Sequence, residues 1–187
     1  MSNSDKTGAN YELEEEQTLF KGHLVTVSQA TLKAPDGEVL QREIVRHPGA
    51  VVVVALDDRD RVSLIRQYRA AVGGELVELV AGKRDQAGED PVATAARELA
   101  EEAGLVAESY RLLATFYNSP GFCDEFSYLY LANGLSEVPR KPQGSEERHC
   151  ELLSVPLEEA LQGIDSGWIK DAKTILGLSL AALSRAG

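Results

Sequence analysis

Positive charge is in short supply in this sequence: 19 Lys and Arg stand against 30 Asp and Glu, a formal net charge of −11. That balance repels polyanions, so nucleic acid and anionic membrane surfaces are excluded as partners unless metal ions or a local basic patch intervene. Cysteine is almost absent, with only Cys123 and Cys150. Two are too few for a disulfide framework, and neither stands in a C-x-x-C pair or at a zinc-site spacing, so the expected setting is reducing and cytoplasmic. There is no apolar run of membrane-spanning length, and the leading residues MSNSDKTGANYELEEEQ are polar and acidic where a secretion signal would be basic and then apolar. Internal repeats and low-complexity segments are missing too. What is present is 187 residues, 43% of them hydrophobic, enough for one substantial core with appendages.

Strand patterns dominate the first half. Residues 1–18 read as a mobile acidic tail. TLFKGHLVTVSQATLKA and EVLQREIVRH alternate apolar and polar positions across the turn Pro35-Asp36-Gly37, which predicts an N-terminal hairpin within residues 19–47. AVVVVAL, residues 50–56, is a continuous β-branched run and VSLIRQYR is its expected antiparallel partner, both central in a sheet. ELVELVA, SYRLLATFYNS and EFSYLYLANGL add three strands, the last two around PGFCDE. A polar loop, SEVPRKPQGSEERHCE, precedes a short strand LLSVP and two helical patterns, LEEALQG and DAKTILGLSLAALSRA. Mixed strands with a few helices indicate an α+β or α/β sandwich for residues 48–187.

One further helix is bounded by chemistry on both sides. Asp90 can cap the free amides, Pro91 fits the first helical position, and Gly104 is a stop. At about 100° per residue, Val92, Ala95, Ala96, Leu99 and Ala103 fall on one side and Glu98, Glu101 and Glu102 on the other. Each like-charge pair at such spacing costs only about 0.2–0.5 kcal/mol, so a solvated acidic face is energetically permitted. The surrounding residues argue for more: Gly82, a further carboxylate at Glu89, Arg97 beside the acids, and a closing Gly104-Leu105.

Taken together, G82-x6-E89-x7-R97-E98-L99-x-E101-E102-x-G104-L105 resembles the Nudix box, the signature of hydrolases that cleave a nucleoside diphosphate linked to another moiety. Six residues, where the usual pattern has five, separate Gly82 from Glu89, an insertion confined to the loop before the helix. The resemblance implies a Nudix-type α/β/α sandwich with a mixed β-sheet and an N-terminal β-hairpin extension. It implies Mg²⁺, with Mn²⁺ as a substitute, since hard cations take carboxylates and substrate phosphates as ligands. Glu98 and Glu102 would be the principal ligands and hence catalytic, with Glu101 a ligand or a holder of metal-bound water and the Ala81 carbonyl another ligand. Glu89 and Arg97 would form an ion pair, and Gly82 and Gly104 would shape the motif. The family's catalytic base lies in a loop after the last long strand, where Glu147 is the first choice and Glu146 the second.

Substrate signals lie outside the box. Pro120, fifteen residues past Leu105, resembles the proline of the ADP-ribose pyrophosphatase branch, although Val80 stands where several members have proline. On that resemblance Arg42 and Glu43 would help hold the adenine side, Arg69 would reach the diphosphate or the bound nucleotide, and Glu78 would touch the second ribose. Residues 19–47 would join a homodimer and complete the partner's adenosine site. The implied reaction splits ADP-ribose into AMP and ribose 5-phosphate; a GDP-sugar, another ADP-sugar, or nucleotide sensing without turnover are the alternatives. His149, His23 and His47 read as surface histidines, and the cysteines have no nucleophilic role.

Overall fold

The structure, a computed structural model, describes residues 10–142 and 148–185. It divides into two compact units, residues 1–48 with Ser119–Glu125, and Gly49–Asn118 with Phe126–Gly187.

The first unit is built on an antiparallel sheet of three strands in the order β1-β2-β3: β1 Glu12–Lys21, β2 Thr26–Lys33 and β3 Val39–Arg46. The predicted hairpin is β2-β3, closed by the turn at Gly37, whose φ is +91°. A second turn precedes it, where Gly22 N donates to Val25 O at 2.9 Å. Residues 12–18, expected within a mobile tail, are therefore strand. Their partner is β2, with Glu12 opposite Lys33, and Glu16 takes a two-pronged ion pair from Arg46 at 2.9 and 2.6 Å. An opposite-charge pair across strands and a bidentate guanidinium supply the stabilisation that an isolated acidic segment lacks. The segment Ser119–Glu125 is tied to the end of β3: Val45 N donates to Phe122 O, and Asp124 accepts from His47 N at 2.8 Å and Arg46 Nη1 at 3.1 Å.

In the second unit, β4 Ala50–Ala55, β5 Arg61–Arg69, β6 Gly74–Lys83, β7 Leu105–Tyr117, β8 Phe126–Glu137 and β9 Glu151–Pro156 form a mixed sheet in the order β7-β8-β4-β6-β5-β9. Among the described strands only β4 and β8 pair in parallel. All six residues of β4 are buried, as its unbroken β-branched run predicts for a central strand. Its expected partner was β5, and here the structure differs. Both edges of β4 are taken, by β6 and β8, and β5 meets it only at the bridge Leu56–Val62 beside the Asp57–Asp60 turn. The short turn brings the two strands together at one end, while β6 supplies the longer ladder to each.

Alternation along the strands makes two cores. Val52, Val54, Leu64, Leu79 and Leu129 face helices α2 (Leu157–Asp165) and α3 (Ala172–Leu183). Val51, Val53, Ile65, Val80 and Tyr130 face α1 (Pro91–Glu98) through Ala95 and Leu99. The result is the expected α/β/α sandwich. A Cβ at Gly177 would collide with Leu79, so this glycine lets α3 lie against the sheet at close range.

Candidate active site

Strand β6 delivers Ala81 and Gly82 opposite Val52 and Val51 of β4. A Cβ at Gly82 would overlap the Glu98 carboxylate, so that side chain rests directly on the strand's backbone. Glycine is needed here for space, beside the Ala81 peptide. Helix α1 then starts as predicted: Asp90 accepts from Val92 N at 2.9 Å and Pro91 opens the first turn. The Thr94 hydroxyl donates to Glu89 at 2.8 Å, which turns Thr94 inward; Thr94, Ala95 and Leu99 are the buried positions of this stretch. Val92, placed by its angle on the packed side, is 36% exposed.

After Glu98 the helix widens. Leu99–Ala103 is a π turn, closed where Gly104, at φ +67°, donates to the carbonyls of Ala100 and Leu99. Such turns recur at functional sites because they re-aim side chains late in a helix. Val138 N donates to Gly104 O at 2.9 Å, and Arg140 donates to Glu102 O and to Cys150 Sγ. The segment after β8 is thereby sewn to the helix end.

The predicted Glu89–Arg97 pair is present at 3.2 Å, and Arg97 has two further partners, Glu98 at 2.8 Å and Glu101 at 3.1 Å. Arg97 and Thr94 hold the Glu89 carboxyl below its ordinary pKa. Glu89 in turn, with Glu98, raises that of Arg97. The acidic side is less open than a solvated face: the Glu98 and Glu101 side chains are 12% and 20% exposed and Glu102 is buried. Among the described residues no group of three or more His, Cys, Asp or Glu closes around one metal position, and Arg97 occupies the space between three of the acids. The donor set nevertheless suits a hard divalent cation: carboxylate oxygens from one helix, one of them pressed onto the glycine backbone next to Ala81.

Arg69 and Glu78 are brought together, each to the other. Arg69 donates through Nε and Nη2 to the two oxygens of Glu78, both at 2.7 Å, and Glu78 is fully buried. Its hydrogen bonds to Glu78 raise the Arg69 pKa, and the charges of Asp171 and Glu102 add to the effect. Three residues that the sequence reading passed over complete this network. Lys173 lies 3.8 Å from Glu78 and 2.6 Å from Asp171, and Asp171 caps α3 by accepting from Thr174 N and Oγ1. Thr174 Oγ1 in turn accepts from Leu79 N on β6. The available signal was the Asp-x-x-Thr cap in DAKT.

Arg42, Glu43 and Pro120 belong to the first unit. Arg42 and Glu43 lie on β3 opposite Ala30 and Gln29, both exposed, and Arg42 donates to the Gln41 carbonyl. Glu146 and Glu147 lie outside the described residues. A cavity of about 510 Å³ opens at the far end of the π turn, lined by Gly104, Leu135, Glu137, Arg140, Leu152 and Ser154 among others; none of the three helix glutamates lines it. No helix among the described residues is long and apolar enough to cross a membrane.

Comparison with known proteins adds independent findings. The NUDIX domain model matches residues 45–176. The chain is 39% identical over 170 residues to the methanol dehydrogenase activator of Bacillus methanolicus, covering 91% of each. It is 36% identical over 170 residues to the ADP-ribose pyrophosphatase of Bacillus subtilis (strain 168), again covering 91% of each. A GDP-mannose pyrophosphatase of Cronobacter sakazakii is 32% identical, over 89% of this chain and 92% of that one. A crystal structure of an ADP compounds hydrolase shares the fold with a TM-score of 0.82 over 95% of both chains, at 22% identity.

Proposed function

The chain belongs to the NUDIX domain family, and from that premise we propose that it is an Mg²⁺-dependent hydrolase that splits ADP-ribose into AMP and ribose 5-phosphate. The observation that carries this reading is the seat of Glu98 on Gly82, with Glu101 and Glu102 following on the π turn: three carboxylates on one helix end beside the Ala81 peptide. Glu98, Glu102 and the Ala81 carbonyl would hold the cation, and Glu101 would act as a further ligand or hold its water. When bound, Mg²⁺ supplies charge neutralisation at the diphosphate oxygens. Glu147, with Glu146 as second choice, orients the attacking water and takes its proton. Arg97 restrains Glu98 and Glu101 so that their carboxylates need little ordering on binding. Arg42 and Glu43 would help hold the adenine side, Pro120 would be a further substrate-binding residue, and Arg69 would reach the diphosphate or the bound nucleotide. Glu78 keeps Arg69 extended, and this supports a positioning role more than a direct contact with the second ribose.

Residues 48–187 form the catalytic domain in this reading, and the N-terminal strands complete the adenosine site of a homodimer in the cytoplasm. The GDP-mannose pyrophosphatase relative supports a second reading, in which the same helix serves a GDP-sugar. One panel decides between them: purified protein with Mg²⁺ or Mn²⁺, offered ADP-ribose, other ADP-sugars and GDP-mannose at equal concentration, products resolved by chromatography. AMP from ADP-ribose as the fastest reaction is expected, and excess chelator should stop it. A faster release of GMP from GDP-mannose transfers the assignment to the second reading, and ligand binding without any turnover marks a sensor.

A further inference from the structure

One cation at the entrance to the box forms no ion pair with any described residue. Arg84 stands two residues past Gly82, within about 7 Å of chain from the glycine that seats Glu98. Its backbone is fixed, since Arg84 N donates to Gly49 O at 3.1 Å. Its guanidinium lies 5.0 Å over the ring of Tyr128. Tyr128 is braced edge-on by Phe126 at 5.2 Å, and Phe126 by Tyr117 at 5.0 Å, so the platform under the cation is a row of three rings. Arg84 Nε is buried and has no hydrogen-bond partner, and the side chain donates no hydrogen bond to any described residue. The neighbouring arginines differ: Arg97 is committed to three carboxylates and Arg69 to Glu78. Glu89 feels the charge of Arg84, but its oxygens already accept from Arg97 and Thr94.

A buried donor left without an acceptor is costly, and native structures rarely keep one unless something outside the chain satisfies it. A guanidinium stacked by one face on an aromatic ring keeps its edge donors free, in the fork geometry that matches two oxygens of a phosphate. We propose that Arg84 is a substrate-binding residue, its edge taking phosphate oxygens of the nucleoside diphosphate held at the acidic helix. This rests on the hydrolase reading of that site.

The test is calorimetric titration of α,β-methylene-ADP with Mg²⁺ into wild type, Arg84→Gln and Arg84→Lys, alongside steady-state kinetics on whichever nucleoside diphosphate sugar is turned over. Loss of one charge-assisted pair predicts a Kd and a KM about ten- to a hundredfold higher for Arg84→Gln with kcat nearly kept, and an intermediate value for Arg84→Lys. Folded variants that bind as tightly as wild type overturn the proposal and leave Arg84 a stacking residue alone. If Arg84→Gln does not fold, Arg84→Lys decides: weaker binding supports the assignment, unchanged binding overturns it. A wild type that binds the analogue more tightly than its variants yet hydrolyses nothing keeps Arg84 and removes the hydrolase reading. A wild type that binds no analogue removes both.

Discussion

Two charged clusters in the second unit invite comparison, because they are made of the same side chains in different proportions. Glu78 and Asp171 stand with Arg69 and Lys173, two acids to two bases. Glu89, Glu98 and Glu101 stand around Arg97. The balanced set also satisfies the amide of Leu79 and the first turn of α3 through Thr174 and Asp171, so it closes on itself and joins helix to sheet. The other lies at low exposure on a helix end and ties no second element to the sheet through these pairs; in the hydrolase reading proposed above its carboxylates would hold a cation from solution. What each cluster is tied to, more than the presence of acid, separates the one that holds the fold together from the one that would hold a ligand in the proposed reading.

Substitutions can break that division. The largest expected effect is on the unbalanced side: Glu98→Gln or Glu102→Gln should lower turnover on the order of 10²- to 10³-fold with little change in the melting temperature. A large fall in melting temperature with turnover kept would reverse the two roles. Next is the balanced side, where Glu78→Ala strands Arg69, while Lys173 keeps Asp171, and should cost about 3 kcal/mol of stability, read from urea unfolding. Gly82→Ala sharpens the picture by displacing a carboxylate without removing it: about a 10²-fold loss of turnover is expected, with Mg²⁺ affinity measured by calorimetry falling in parallel. Asp171→Ala should be milder, about 1–2 kcal/mol, from the lost cap.

The smallest effect is a pH dependence. Burial pushes the Asp171 carboxyl up, but Lys173 and Thr174 outweigh it and leave the folded value below the ordinary 3.8. The folded chain then binds fewer protons than the unfolded one, so this contribution is complete above about pH 4 and fades as pH falls through the depressed value. Asp171→Asn keeps a capping oxygen and should flatten the acid limb of the unfolding curve relative to wild type. An unchanged slope would mean that the charge of Asp171 does not matter to the fold.

Local signals were legible in the sequence and lateral ones were not. Asp90, Pro91 and Gly104 bound the acidic helix segment because caps act within a few residues, and the all-buried strand announced itself by composition. The Glu89–Arg97 pair was implied by the resemblance to the Nudix box and is present at 3.2 Å. Pattern could not show that β6 and β8 take both edges of β4, since ladder partners are chosen by the whole sheet. The additional partners of Arg97, the Lys173–Glu78 contact and the stacking of Arg84 on Tyr128 likewise depend on which elements meet. Residues 12–18 looked unpartnered because their partner, β2, lies beyond a turn marked only by Gly22.

The π turn at Leu99–Ala103 has a consequence for how this stretch can change over generations. A π turn holds one residue more than an α turn, so deleting one residue there would restore an ordinary ladder at no cost in backbone hydrogen bonds. The same deletion would swing everything after it by about 100° around the axis, carrying the acids past the break away from Glu98 and Gly104 away from the Val138 amide. A point change in these five residues alters one side chain and leaves the others aimed as before, whereas a change in their number re-aims all that follow, so the length of this short segment constrains it as much as its composition.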